Sequence, residues 1–229
     1  MRHLAILLKW DIILLHRNKL FMLAAVVAAM YVGIFYLLKD VVDMDLILVV
    51  LIFNDPVVTG FLFSAILLLF DKNQNTLEAI SVLPLTFEKY LLSKSIILSM
   101  LAAILAFIMA IVIKGWDFNA FHLFIATFLS AFIFCLFGFL AGTYAKNFNQ
   151  LLAYCIPFLI IAGIPFAPLL GFGNLNWFFF IPSTGGVGLL KATFAEMQIM
   201  QIILMYIYLI TWSLLSWILT KKITLKKLR

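Results

Sequence analysis

Charge is what this chain has least of. Only 11% of its 229 residues are Asp, Glu, Lys or Arg, and 66% are apolar. A soluble chain carries about 25% charged residues, so a water-soluble globular domain is excluded. Cysteine and histidine are nearly as scarce, at two and three residues. Cys135 and Cys155 both fall inside apolar stretches and read as small buried hydrophobes rather than a disulfide pair. His3, His16 and His122 are scattered and offer no metal-ligand spacing. The run Gly185-Gly186-Val187-Gly188-Leu189-Leu190-Lys191 lacks the Gly-Lys-Ser/Thr ending of a phosphate loop and follows no strand. No Gly-x-Ser-x-Gly elbow and no paired-carboxylate arrangement is visible. The expectation is a chain with no catalytic, cofactor-binding or metal site of its own.

What the chain does have is long apolar runs, with a mean hydropathy of +1.18. A spanning helix needs about 20 mostly apolar residues. Six segments qualify: 20–38, 46–70, 95–113, 121–144, 149–170 and 201–220. This predicts an all-α, polytopic membrane protein with six transmembrane helices, forming a single transmembrane domain over 1–229. No connector is long enough for an independent soluble domain, and there is no internal repeat. Residues 1–19 carry charge throughout and do not read as a cleavable signal peptide.

The net charge of +6 could suggest nucleic acid, but the basic residues flank the apolar segments instead of forming one face. They read as topology signals facing a lipid membrane, so no nucleic-acid partner is expected. Thirteen of the sixteen Lys and Arg fall on one side of the six spans, leaving Lys39, Lys114 and Lys191 on the other. By the positive-inside rule both termini are cytoplasmic, as in a multi-pass protein of a bacterial or archaeal cell membrane. Trp10, Trp116 and Trp177 lie near span ends, where an aromatic belt places them.

Within 1–19, Arg2, Lys9 and His16 recur every seven residues along one helix stripe, with Leu4, Leu7, Leu8, Leu14 and Leu15 opposite. Such a helix lies in the interface of the inner leaflet, either as an elbow that receives force or as a mere anchor. The cytoplasmic connector 71–94, DKNQNTLEAISVLPLTFEKYLLSK, is the longest inner loop. Leu77, Ile80, Val82 and Leu83 give it a short apolar face, Thr76 is a candidate cap and Glu78 sits in the first turn. Pro84 ends that helix at or before Leu83, and a second amphipathic stretch from Phe87 to Lys94 leads into the third span. Exposed apolar residues at the membrane base fit a docking site or an interfacial helix equally.

These residues resemble the loop between the second and third spans of type-2 ABC exporter permeases. In that family an acid closes the span, followed by Gly-Thr-Leu-Glu, Thr-Pro-Leu-Ser, Glu-Tyr and a Lys that opens the next span. Here Asp71 stands at the acid, Thr76, Leu77 and Glu78 match the first motif, and Pro84, Leu85 and Thr86 match the second. Tyr90 and Lys94 match the last, whereas Asn75, Leu83 and Lys89 depart from the pattern. The resemblance implies that the loop is a coupling helix seated on a nucleotide-binding ATPase, with Thr76, Leu77, Glu78, Ile80 and Pro84 as docking residues. It implies a second permease copy, identical or paralogous, and places ATP and Mg on the ATPase.

Two further features bear on a path. Asn54-Asp55-Pro56 lies in the second span, with Asp55 about nine residues in, or roughly 14 Å by helix rise. A carboxylate at that depth costs at least about 2.5–3.5 kcal/mol unpaired, so it should face a cavity or a partner. Pro56 cannot donate to the carbonyl of Ile52, and a kink is expected there. Asn54, Asp55 and Pro56 are accordingly candidates for a translocation path, or for a kink capped by its own side chains. The same triplet is similar to permeases of the fluoroquinolone-export group. The fifth span carries Pro157, Pro165 and Pro168, then Gly171 and Gly173, and should bend or end early. The outer segment 171–200, with Trp177, Phe178, Phe179, Phe180 and Ile181, is too apolar for a free loop. Short helices are expected there, either packed at the interface or dipping into the outer leaflet, the latter in line with the re-entrant gate that the resemblance implies.

The leading expectation is a non-catalytic permease subunit of an ATP-driven exporter that moves a hydrophobic or amphipathic solute, such as a drug. The alternatives are a stand-alone secondary transporter with Asp55 as a proton or cation site, and a non-transporting membrane scaffold or immunity protein.

Overall fold

Apolar runs of this length satisfy their backbone in lipid as helices, and the computed structural model is mainly helical, with no strand among its described residues. These are 2–40, 43–74, 86–172 and 178–228, with side chains described except at 2–5, 55–58, 169–170 and 228. The elements are α1 (Arg2–Arg17), α2 (Leu20–Leu38), α3 (Met44–Asp55), a π-helical segment (Pro56–Leu62) and α4 (Phe63–Asn73). There follow α5 (Phe87–Lys114), α6 (Ala120–Tyr144), α7 (Phe148–Gly163), a 3-10 segment (Ile164–Leu170), α8 (Ser183–Phe194) and α9 (Ile199–Leu228). Six of the helical runs are long and apolar enough to cross a membrane: 20–38, 44–73, 87–114, 120–144, 148–168 and 199–227.

The spans differ in how much protein surrounds them. Those at 44–73, 87–114 and 120–144 are mostly buried, and those at 20–38, 148–168 and 199–227 are mostly exposed. α6 sits at the centre, packed on α4, α5, α8, α9 and the π segment. Small residues make that possible. A Cβ at Gly138 would lie 2.1 Å from Ser64 Oγ and 2.2 Å from the Phe61 carbonyl oxygen, and one at Gly142 2.8 Å from the Ala65 carbonyl. The pair forms a Gly-x-x-x-Gly face on which the second span seats backbone to backbone. Ser64 donates across this contact to the Cys135 carbonyl at 2.9 Å.

The amphipathic stretch from Phe87 to Lys94 leads into the third span as expected: α5 runs unbroken from Phe87 to Lys114, with no Gly or Pro to interrupt it. The fifth span does end early: α7 stops at Gly163, Pro165 opens the 3-10 turn, and Gly171 closes it in the left-handed region at φ 85°. At Pro56 the missing donor coincides with a change of helical register from α to π, which carries the expected irregularity.

Candidate functional site

The loop motif's two rims meet. Asp71 lies near the end of α4, and Lys94 about two turns into α5. The Lys94 ammonium is buried and sits 3.4 Å from Asp71 Oδ2 and 3.5 Å from Asp11 Oδ1 of α1. The Tyr90 hydroxyl donates to Asp71 Oδ2, and Ser93 Oγ donates to Asp11 Oδ2 at 2.5 Å. Lys94 also lies over the Tyr90 ring, 5.0 Å from its centroid. One cation thus bridges three helices, and each carboxylate holds a second, neutral donor. Removing one partner of such a buried set leaves an uncompensated charge and costs about 3–5 kcal/mol.

Next to it Lys72 performs a different task. Its ammonium donates to the carbonyls of Gly142, Thr143 and Ala145 at 3.1, 3.0 and 2.8 Å. These are acceptors that a helix end leaves unpaired, at the negative pole of the α6 dipole. The middle of α1, the start of α5 and the ends of α4 and α6 are therefore joined by two buried or half-buried lysines. Farther out, Lys221 of α9 pairs with Glu88 at 3.0 Å, both exposed and worth little.

Sequence-based reasoning singled out Asp71, Tyr90 and Lys94, and the structure brings them into one cluster. It missed Asp11. The signal was present, because Asp11 falls on the leucine face of α1, between Leu7 and Leu8 on one side and Leu14 and Leu15 on the other. A carboxylate on an apolar stripe needs a partner. Thr76, Leu77, Glu78, Ile80 and Pro84 lie outside the described residues. Asn54 is half-buried near the end of α3, and the side chains of Asp55 and Pro56 lie outside the described residues.

The opposite end is built without buried charge clusters among the described residues. α8 is buried along most of its length between α3, α6 and α9. Its glycines let it in: a Cβ at Gly186 would lie 2.3 Å from Ser130 Oγ and 2.6 Å from the Phe53 ring, and one at Gly185 2.4 Å from the Tyr208 ring. This is the glycine run that has the look of a phosphate loop; here it serves close packing. Tyr208 of α9 donates to the carbonyls of Phe179 and Ile181, both at 2.8 Å, and Thr184 Oγ1 to that of Phe178 at 2.5 Å. The apolar stretch before α8 is thereby tied down, while Phe180 stays 90% exposed. Lys114 pairs with Asp45 at this end, joining the close of α5 to the start of α3.

A family model, that of the fluoroquinolones export permease protein family, matches residues 2–227. The chain belongs to this family. Membership agrees with the six-span plan of a multi-pass membrane protein. Two curated relatives are fluoroquinolones export permease proteins of Mycobacterium tuberculosis, from strains CDC 1551 / Oshkosh and ATCC 25618 / H37Rv. Each is 26% identical to this chain over 147 residues, 64% of the chain. The match spans 62% of the relatives' own length.

Proposed function

We propose that this chain is the membrane-spanning subunit of an ATP-driven exporter, working as a dimer above an ABC ATPase pair that binds ATP and Mg. Both termini then face the cytoplasm, and loop 71–94 meets the ATPase there. The solute is amphipathic and aromatic, of the fluoroquinolone kind that the relatives' names specify. The observation that carries this reading is the Asp11–Lys94–Asp71 cluster. The two helices that carry the loop are bonded to each other and to α1, so a push on the loop moves three helices together. A loop that served only as an interfacial anchor would need no such joint.

The test is to purify the tagged chain from its native host in mild detergent, identify co-purifying proteins and assay ATP hydrolysis. An ABC-type ATPase in stoichiometric amount, lost in the Leu77→Asp/Glu78→Arg variant, is the expected result. No such partner, under conditions that keep other membrane complexes intact, would contradict it. Transport by the purified chain alone, abolished by Asp55→Asn, would establish a secondary transporter instead.

A further inference from the structure

Between α8 and α9, at the end opposite the Lys94 cluster, lies a cavity of about 370 Å³. That is within the range of about 300–1,000 Å³ typical of small-molecule sites. Its walls are of three kinds. Phe179 and Tyr208 supply aromatic surface, their rings 4.7 Å apart and edge to face. Met205 supplies a polarisable thioether, and Gly188 lines the wall with no side chain, leaving flat backbone surface. Lys191 and Gln201 supply the polar groups.

The polar groups divide into occupied and available. The Tyr208 and Thr184 hydroxyls, which also reach the cavity, already donate to the carbonyls of Phe178, Phe179 and Ile181. Among the described residues, the Lys191 ammonium and the Gln201 amide have no hydrogen-bond or ion-pair partner. Lys191 is also one of only three Lys or Arg in the connectors of that side, counted along the sequence. A slot walled by aromatic rings, the thioethers of Met197 and Met205, Leu204 and bare backbone, with one ammonium and one amide at its edge, fits a flat aromatic body bearing one carboxylate.

We propose that this cavity binds aromatic carboxylic acids, with the carboxylate on Lys191 and Gln201 and the ring system against Phe179, Tyr208 and Met205. The inference rests on the export reading, for which the cavity is a site on the release side. The acid's body, rather than its charge alone, is what the aromatic wall selects, which separates it from a lipid or fatty-acid anion.

Equilibrium dialysis against the full chain in neutral-lipid nanodiscs, without nucleotide or partner, tests it. The probes are nalidixic acid, a flat bicyclic carboxylic acid, and its methyl ester, with empty nanodiscs subtracted. Wild type should bind the acid more tightly than the ester. Lys191→Gln should weaken the acid about tenfold, the size of one lost charge-assisted hydrogen bond, and leave the ester unchanged. Gln201→Trp, a substitution at an exposed position, should block both probes by filling the mouth, with the thermal melt unchanged. Oleate should compete only weakly. Equal binding of the acid by wild type and both variants, an equal loss of acid and ester in Lys191→Gln, or oleate competing as strongly as the acid would each overturn the site. Since no ATPase is present, such a failure leaves the ATPase partnership standing, and loss of that partnership leaves this binding result intact.

Discussion

The two ends of the bundle are held by opposite means. At the end that carries the 71–94 loop, two lysines do the joining: Lys94 between Asp11 and Asp71, and Lys72 on the carbonyls that finish α6. At the other end, α8 is seated because Gly185 and Gly186 have no side chains to obstruct Tyr208, Phe53 and Ser130. Buried ionic joints are costly to break singly, so helices bonded that way move together or not at all. Glycine seats rest on dispersion and shape, and a helix held by them can slide without stranding a charge. On the proposed exporter reading, the lysine-joined end is the one that would receive force and the glycine-seated end the one that would open.

Several substitutions would break or sharpen this contrast. The largest effect is expected at the centre that both ends share. Gly138→Leu drives side-chain atoms into Ser64 and the Phe61 backbone and should leave little folded protein, read as loss of the monodisperse peak on size-exclusion chromatography. Lys94→Met comes next, leaving the buried Asp71 and the half-buried Asp11 without their cation. A loss of about 3–5 kcal/mol is expected, and adding Asp11→Asn and Asp71→Asn should return most of it. Recovery of the triple variant's melting temperature measures this. At the glycine end, Gly186→Ala should cost about 1–3 kcal/mol, because the new methyl meets Ser130 Oγ and the Phe53 ring. Ser130→Ala should restore part of it by clearing the nearer atom. The smallest effect is expected for Glu88→Gln, which removes only the exposed partner of Lys221, at most about 1 kcal/mol. A Glu88→Gln loss as large as that of Lys94→Met would erase the distinction between a buried joint and a surface pair.

The spans themselves were legible, because about 20 apolar residues leave a chain little choice but to cross the bilayer as a helix. The early end of the fifth span was legible for the same local reason, in Pro165 and Gly171. The partners were not. Asp11 and Lys94 are 83 residues apart in sequence, and nothing local says that they meet. That Phe87 to Lys94 leads into the third span was legible, but not what the lysine at its end would meet. In the structure Lys94 is buried within the helix, its charge met by two carboxylates from other helices. The Gly185–Gly186 run shows the converse: a local pattern with a catalytic look whose meaning comes from three neighbouring helices.

The most direct test is to separate hydrolysis from export in proteoliposomes that contain the chain and its co-purified ATPase. The variant is Asp11→Leu/Asp71→Leu/Lys94→Met, which replaces the joint with apolar side chains while leaving no charge unpaired. The expected result is a complex that still assembles and hydrolyses ATP but exports a fluoroquinolone at a small fraction of the wild-type rate. Export at the wild-type rate per ATP would contradict the assignment of that cluster as the joint through which the loop drives the bundle.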